Sequence, residues 1–245
     1  MTSSRTTPDR LYFRQLLAGL DFALDDQVAR QMVNFVYLVG DRETGEAMIV
    51  DPAYGISELV ALAGEDGMRI TGALVTHYHA DHIGGDLMGY HIDGVRELLG
   101  NPDAQVKLHV QRDEAEFVQR QTEVSDSDIA VHDGGDVVEV GGVKVTLLHT
   151  PGHTPGSQCF LVDGKLVAGD TLFIDGCGRT DFPGGDSEAM YDSLHHVLAT
   201  VPDDTVLYPG HLYSPAPSAT MADTRRNNYV FRPKTPEQWI DMFGR

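Results

Sequence analysis

Cysteine is nearly missing from this chain: only Cys159 and Cys177 occur among its 245 residues. Two thiols cannot build a disulfide framework, so the fold must close on its own apolar core, and a reducing, cytoplasmic setting is the expectation. Positive charge is scarce as well. The 18 Lys and Arg stand against 37 Asp and Glu, a formal net charge of −19. That balance leaves no basic face to neutralise phosphates and argues against a nucleic-acid partner and against anionic membranes. Long apolar runs are lacking too: Leu16-Leu17-Ala18-Gly19-Leu20 is far too short for a membrane span or a leader segment, and Met1 to Arg10 is polar. What is present is a 41% hydrophobic content, enough for one domain with a full core. The expected division is an extension over 1–30 and a single domain over 31–245.

Spacing predicts the elements. Val33 to Val39 and Glu46 to Val50 read as strands joined by a polar turn, and Ile70 to Val75 as a buried strand. Ile56, Leu59, Val60 and Ala63 recur at helical spacing, with Gly64 as the stop. Val137 to Val140 with Val143 to Leu148 form a hairpin, and so do Gln158 to Val162 with Lys165 to Ala168 around Asp163-Gly164. A strand is expected at Gln105 to Val110 with a helix after it, then a helix at Ser187 to Ala199 and a strand at Thr205 to Tyr208. Thr235-Pro236 opens a last helix. Residues 1–10 are expected to fray, and 10–30 are too mixed in pattern for an assignment. Two hairpin-rich halves, each followed by helices, imply an α/β fold with two sheets face to face and helices outside.

The third of these strands runs into Thr76-His77-Tyr78-His79-Ala80-Asp81-His82. Three imidazoles and a carboxylate crowded at a strand end supply nitrogen and oxygen donors suited to a zinc-like ion. The same grammar recurs at His153, Asp170 and His211: a strand ends, and a His or Asp stands in the loop after it. Such residues converge on one edge, as two ions sharing a water require. Asp51, before Pro52, reads either as an outer partner of one of these histidines or as a turn-former. His91 and His109 have no ligand-type neighbour at useful spacing, and His195 and His196 fall on the polar face of a helix. Ser157 lacks a base and reads as structural, Cys159 as core, and Cys177 as a small packed residue holding its loop.

Taken in order, Thr76-His77-x-His79-x-Asp81-His82, Thr150-Pro151-Gly152-His153-Thr154, Gly169-Asp170-Thr171-Leu172-Phe173 and Pro209-Gly210-His211 resemble the metallo-β-lactamase superfamily over residues 33–215. The resemblance implies an αββα sandwich with metals at one edge. It places His77, His79 and His153 on one divalent ion, Asp81, His82 and His211 on a second, and Asp170 between them. Asp81 and Asp170 are then the catalytic carboxylates, and Asp51 supports the site from the end of its strand. Two Zn2+ ions would make hydroxide available near neutral pH and polarise a carbonyl, so thioester hydrolysis is the implied reaction.

Two branches of that superfamily are visible. Gly176-Cys177-Gly178-Arg179 is similar to the glyoxalase II loop, which implies that Arg179 grips the glutathione part of a substrate, with Tyr213 beside it. Thr180-Asp181-Phe182 and Phe13-Arg14-Gln15-Leu16 resemble the persulfide dioxygenases instead. That branch implies a single Fe2+ held by His77, His153 and Asp170. Only 34 residues follow His211, leaving no room for the helical domain of glyoxalase II, and residues 88–127 differ from both branches as a lid or a distinct pocket wall. The expected partner is a small thiol-derived molecule; self-association into a homo-oligomer stays open.

Overall fold

The computed structural model describes residues 10–104 and 106–243. The fraying expected before Arg10, and Gln105 at the start of one expected strand, lie outside the described residues. The chain opens with β1 (Leu11–Leu17), α1 (Gln27–Met32), β2 (Phe35–Asp41), β3 (Glu46–Val50), α2 (Ile56–Glu65) and β4 (Arg69–Leu74). The histidine loop leads into a short α3 (Ala80–Ile83), a small hairpin of β5 (Gly85–Leu87) and β6 (Tyr90–Ile92), then α4 (Val95–Leu99), β7 (Lys107–Gln111), α5 (Ala115–Thr122) and β8 (Ile129–His132). The second half carries β9 (Val137–Val140), β10 (Val143–His149), β11 (Gln158–Val162), β12 (Lys165–Val167), α6 (Ser187–Asp192), β13 (Val206–Tyr208), β14 (Ala219–Thr220), α7 (Met221–Asn227) and α8 (Pro236–Phe243).

The strands form two six-stranded sheets, in the orders β1-β2-β3-β4-β7-β8 and β14-β13-β12-β11-β10-β9. Alternation along a strand sends successive side chains to opposite faces. In β2, Phe35, Tyr37 and Val39 face Val143, Val145, Leu147 and Phe160 of the other sheet. Val36 and Leu38 face the opposite way and meet Leu59 and Ala63 of α2. The outer face of the second sheet, with Cys159, Leu166 and Leu207, is covered by Met190, Leu194 and Trp239. These three apolar layers make the fold an αββα sandwich, the architecture that the resemblance implies. Each Leu, Ile or Phe sealed in them contributes roughly 1.5–3 kcal/mol relative to exposure, so the strand ends they hold form a stiff rim.

Pairing directions decide what reaches that rim. β4 runs parallel to β3 and β7, so Asp51 and the histidine loop leave the sheet at the same edge. β12 runs parallel to β13, which brings Asp170 and His211 out together.

The expected strands and hairpins are present, with differences that have physical causes. α2 runs through Gly64 and stops at Glu65, and the reversal falls to Gly67 in the left-handed region at φ +76°. The helix expected to Ala199 opens after α6 into a wide π turn over Ser193–Val197 and a 3-10 turn over Leu198–Thr200, with His195 half-buried against the Tyr191 ring. The segment 88–127 is no free-standing lid: β7 lies inside the first sheet with a neighbour on each side. The unassigned stretch 10–30, placed above within an extension, supplies β1, which pairs with β2 from Leu11 to Leu17, and α1. No helix among the described residues is long and apolar enough to cross a membrane.

Candidate metal centre

Seven side chains from four strand-end segments meet at the rim, and their donor atoms gather in two groups. Ligand atoms of His77, His79 and His153 lie within 4.8 Å of one another, as do those of Asp81, His82 and His211. Asp170 stands between them: Oδ1 is 3.4 Å from His82 Nε2, and Oδ2 is 3.4 Å from His211 Nε2 and 3.7 Å from His153 Nε2. Within the groups, His153 Nε2 is 3.0 Å from His79 Nδ1, and His82 Nε2 is 3.2 Å from His211 Nε2. Two buried polar atoms here have no hydrogen-bond partner, His77 Nε2 and Asp170 Oδ1. Orphaned buried acceptors of this kind are rare and costly unless something fills the space between them. The donor set, imidazole nitrogen with carboxylate oxygen, suits a zinc- or iron-class cation.

Outer partners fix which ring nitrogen faces the centre. His153 Nδ1 donates to the Arg179 carbonyl at 2.7 Å, and His211 Nδ1 donates to the Met32 carbonyl at 2.8 Å. A carbonyl only accepts, so each ring carries its proton on Nδ1 and turns the Nε2 lone pair inward. His82 Nδ1 meets the Asp51 carboxylate at 3.0 Å, which settles that ring in the same way. Asp51 also accepts from Thr76 N at 2.7 Å and Thr76 Oγ1 at 2.6 Å, and Thr76 Oγ1 lies 3.0 Å from His77 Nδ1. Asp51 is thus a hub behind both groups, held in the left-handed region at φ +53°. Asp51 both turns the chain and bonds the His82 ring.

Electrostatics divides the two groups. Burial, reinforced by neighbouring imidazoles, pulls His77 well below its ordinary range and holds His79 at about 4, so these rings are neutral donors at neutral pH. Burial alone would lower His82 and His211 too, but the Asp170 and Asp81 carboxylates outweigh it and raise both. Burial resists charge on Asp170, yet His211 and His82 hold it well below the usual carboxylate range.

The loop after Asp170 closes over the centre because it carries a glycine where nothing larger fits. Gly178 N donates to the Asp170 carbonyl at 2.8 Å, and a Cβ on Gly178 would strike that carbonyl and the His153 ring, 2.8 Å from Nδ1. The next residue, Arg179, is exposed, and its guanidinium is taken by Asp181 through two bonds of 2.8 and 2.6 Å. It lies over the Phe182 ring at 4.5 Å. Phe182, 40% exposed, stands edge-on to His79. On the opposite side Tyr213, 55% exposed, stacks on His211 with ring centres 4.6 Å apart. Arg179 and Tyr213 therefore both reach the mouth, but Arg179 arrives with its charge already paired.

Several contributors were missed from the sequence. Asn34 Nδ2 donates to Asp81 Oδ2 at 3.2 Å, and its Oδ1 accepts from Tyr54 OH at 3.0 Å. Its place beside a strand of apolar residues gave no hint of this. The carbonyls of Met32 and Arg179 have no sequence signature at all. His91, set aside for want of neighbours, does lie near Asp93 and Glu97, because the chain reverses at Gly94; that group is mostly exposed and away from the rim. His109 faces His132 at 2.9 Å and takes no part in the centre. Ser157 is structural, as expected: its Oγ accepts from Thr154 N at 3.1 Å.

The chain is similar to several known proteins. The human mitochondrial persulfide dioxygenase ETHE1 is 34% identical over 199 residues, covering 79% of this chain and 70% of that protein. The hydroxyacylglutathione hydrolase of Rhodopseudomonas palustris (strain HaA2) is 38% identical over 186 residues, 74% of this chain and 63% of that one. The crystal structure of ETHE1 from Myxococcus xanthus superposes with a TM-score of 0.76 at 30% identity, covering 95% of this chain and 90% of the other. Residues 29–211 match the family model of the metallo-beta-lactamase superfamily. With that match over most of its length, the chain belongs to the metallo-beta-lactamase superfamily.

Proposed function

We propose that this protein is a dinuclear metallohydrolase acting on a thioester of a small thiol. The observation that carries the reading is the completeness of both donor groups around one shared carboxylate: His77, His79 and His153 on one side, Asp81, His82 and His211 on the other, Asp170 between. Bound there, two divalent ions, Zn2+ in this reading, supply a water acidified to near-neutral pH and polarise the substrate carbonyl. The chain's own residues do the rest. Asp170 and Asp81 balance the positive charge of the centre, the Nδ1 bonds of His82, His153 and His211 hold the rings in register, and Tyr213 and Phe182 wall the mouth. Neither cysteine competes as a nucleophile. Burial pushes the Cys159 thiol up to about 11 and the Cys177 thiol up to about 12, so neither is a thiolate at neutral pH.

A second reading, a mononuclear iron persulfide dioxygenase using His77, His153 and Asp170, is favoured by one observation. Arg179, which would grip a glutathione carboxylate in a glyoxalase II-like hydrolase, is clamped by Asp181. Metal analysis of the purified protein, coupled to a panel of thioesters and persulfides, separates the two. Two zinc per chain with thioester turnover supports the hydrolase, and one iron with oxygen uptake on a persulfide overturns it. His79→Ala sharpens the test: it severely lowers turnover in a dinuclear hydrolase and spares an iron site that does not use His79.

A further inference from the structure

Glu114 is fully enclosed, at the end of the chain reversal that starts α5, yet none of its side-chain bonds serves that helix. Its Oε1 accepts from Tyr78 N at 2.7 Å and from Thr154 Oγ1 at 2.8 Å, and its Oε2 accepts from Gly156 N at 2.7 Å. Tyr78 sits between His77 and His79; Thr154 and Gly156 follow His153. We infer that Glu114 is a positioning residue for the metal centre, locking the loop of His77 and His79 to the loop of His153 at the spacing their donor atoms require. This rests on the reading that those three histidines hold a cation.

The fit is specific to a carboxylate. All three partners donate, and only an ionised carboxylate offers acceptors in every direction. An amide in its place presents an NH2 group either to the Tyr78 N–H or to the Gly156 N–H, and a backbone donor cannot reverse its role. Shape reinforces chemistry, since a Cβ on Gly156 would sit 2.5 Å from Glu114 Cβ. A buried carboxylate satisfied only by neutral donors is costly to keep. Burial pushes Glu114 up to about 7 against the pull of its donors. Its neighbours Asp113 and Glu116 are exposed and bear none of this load.

The test is Zn2+ retention against a competing chelator, measured on the folded protein, with circular dichroism to confirm the fold. Glu114→Gln is expected to weaken Zn2+ binding by about 10–100-fold, the range for outer partners of metal-ligating histidines. Thr154→Val, which deletes one of the three bonds and is the gentler variant, is expected to weaken it several-fold. Val118→Ala is the control: it loosens the same helix from the core and removes none of the three Glu114 bonds, and should lower the melting temperature while leaving Zn2+ affinity unchanged. Wild-type affinity in Glu114→Gln, or an equal loss in Val118→Ala, would overturn the positioning role while leaving the metal centre intact. A wild-type chain that retains no divalent ion would overturn the proposed function, and the inference with it.

Discussion

The two donor groups at the rim are built differently. His77, His79 and His153 offer only nitrogen, burial keeps His77 and His79 neutral, and the group is held from behind by Thr76, the Arg179 carbonyl and Glu114. Asp81, His82 and His211 include a carboxylate, and their supports come largely from residues 32–34 and Tyr54. Backbone bonds make that dependence concrete: Leu212 N donates to Val33 O at 3.0 Å and Phe35 N to Gly210 O at 2.8 Å, so the His211 loop is pinned to the end of α1. The first group therefore belongs to the sandwich interior, and the second leans on the N-terminal stretch. Asp170 and Asp51 are the two residues that serve both.

Breaking what is shared should cost most. Asp170→Ala is expected to abolish cooperative binding of two ions and to lower turnover by well over the ~100-fold upper range of outer-partner losses, read by metal content and steady-state kinetics. Asp51→Ala removes bonds behind both groups and is expected to lower metal affinity by about 10–100-fold, as seen by chelator competition. Asn34→Ala sharpens the comparison because it touches only the carboxylate-containing group: one of two bound ions should be lost first on dialysis, the other retained. Tyr54→Phe deletes a single buried bond to Asn34, a loss of about 1 kcal/mol or roughly fivefold in affinity.

The smallest effect lies outside both groups. Arg10 pairs with Asp41 through two bonds of 3.0 and 2.7 Å, which, with the Gly142 and Glu43 N–H groups, hold that carboxyl down at about 2. A depressed folded-state pKa contributes stability that is present above the unfolded value of 3.8 and lost as pH falls toward 2. Asp41→Asn should therefore lose stability at neutral pH but flatten the acid limb between about pH 4 and 2 in urea titrations, with metal content unchanged.

The convergence of these side chains was legible because each candidate ligand follows a strand with apolar residues, so position and residue type coincide at His77, His153, Asp170 and His211. Its supports were not. Glu114 stands in Gln111-Arg112-Asp113-Glu114-Ala115-Glu116, where its burial is set by tertiary packing and nothing local marks it out from its exposed neighbours. β1 escaped for a related reason: only Tyr12 and Leu16 along it are buried, so its pattern has neither the period of a half-buried strand nor that of a helix. Val33, in the left-handed region at φ +51°, ends α1 where a β-branched residue would not be expected to, which hid the turn that delivers Asn34. The π turn after α6 likewise left no mark on an otherwise regular helical spacing.

The most direct measurement is the number of divalent ions bound per chain, by metal titration of the wild type and of the double variant His153→Ala/His211→Ala. Two ions at saturation in the wild type, and none tightly held in the double variant, is the predicted result. A wild type that binds none, or a double variant that binds as many as the wild type, would contradict it.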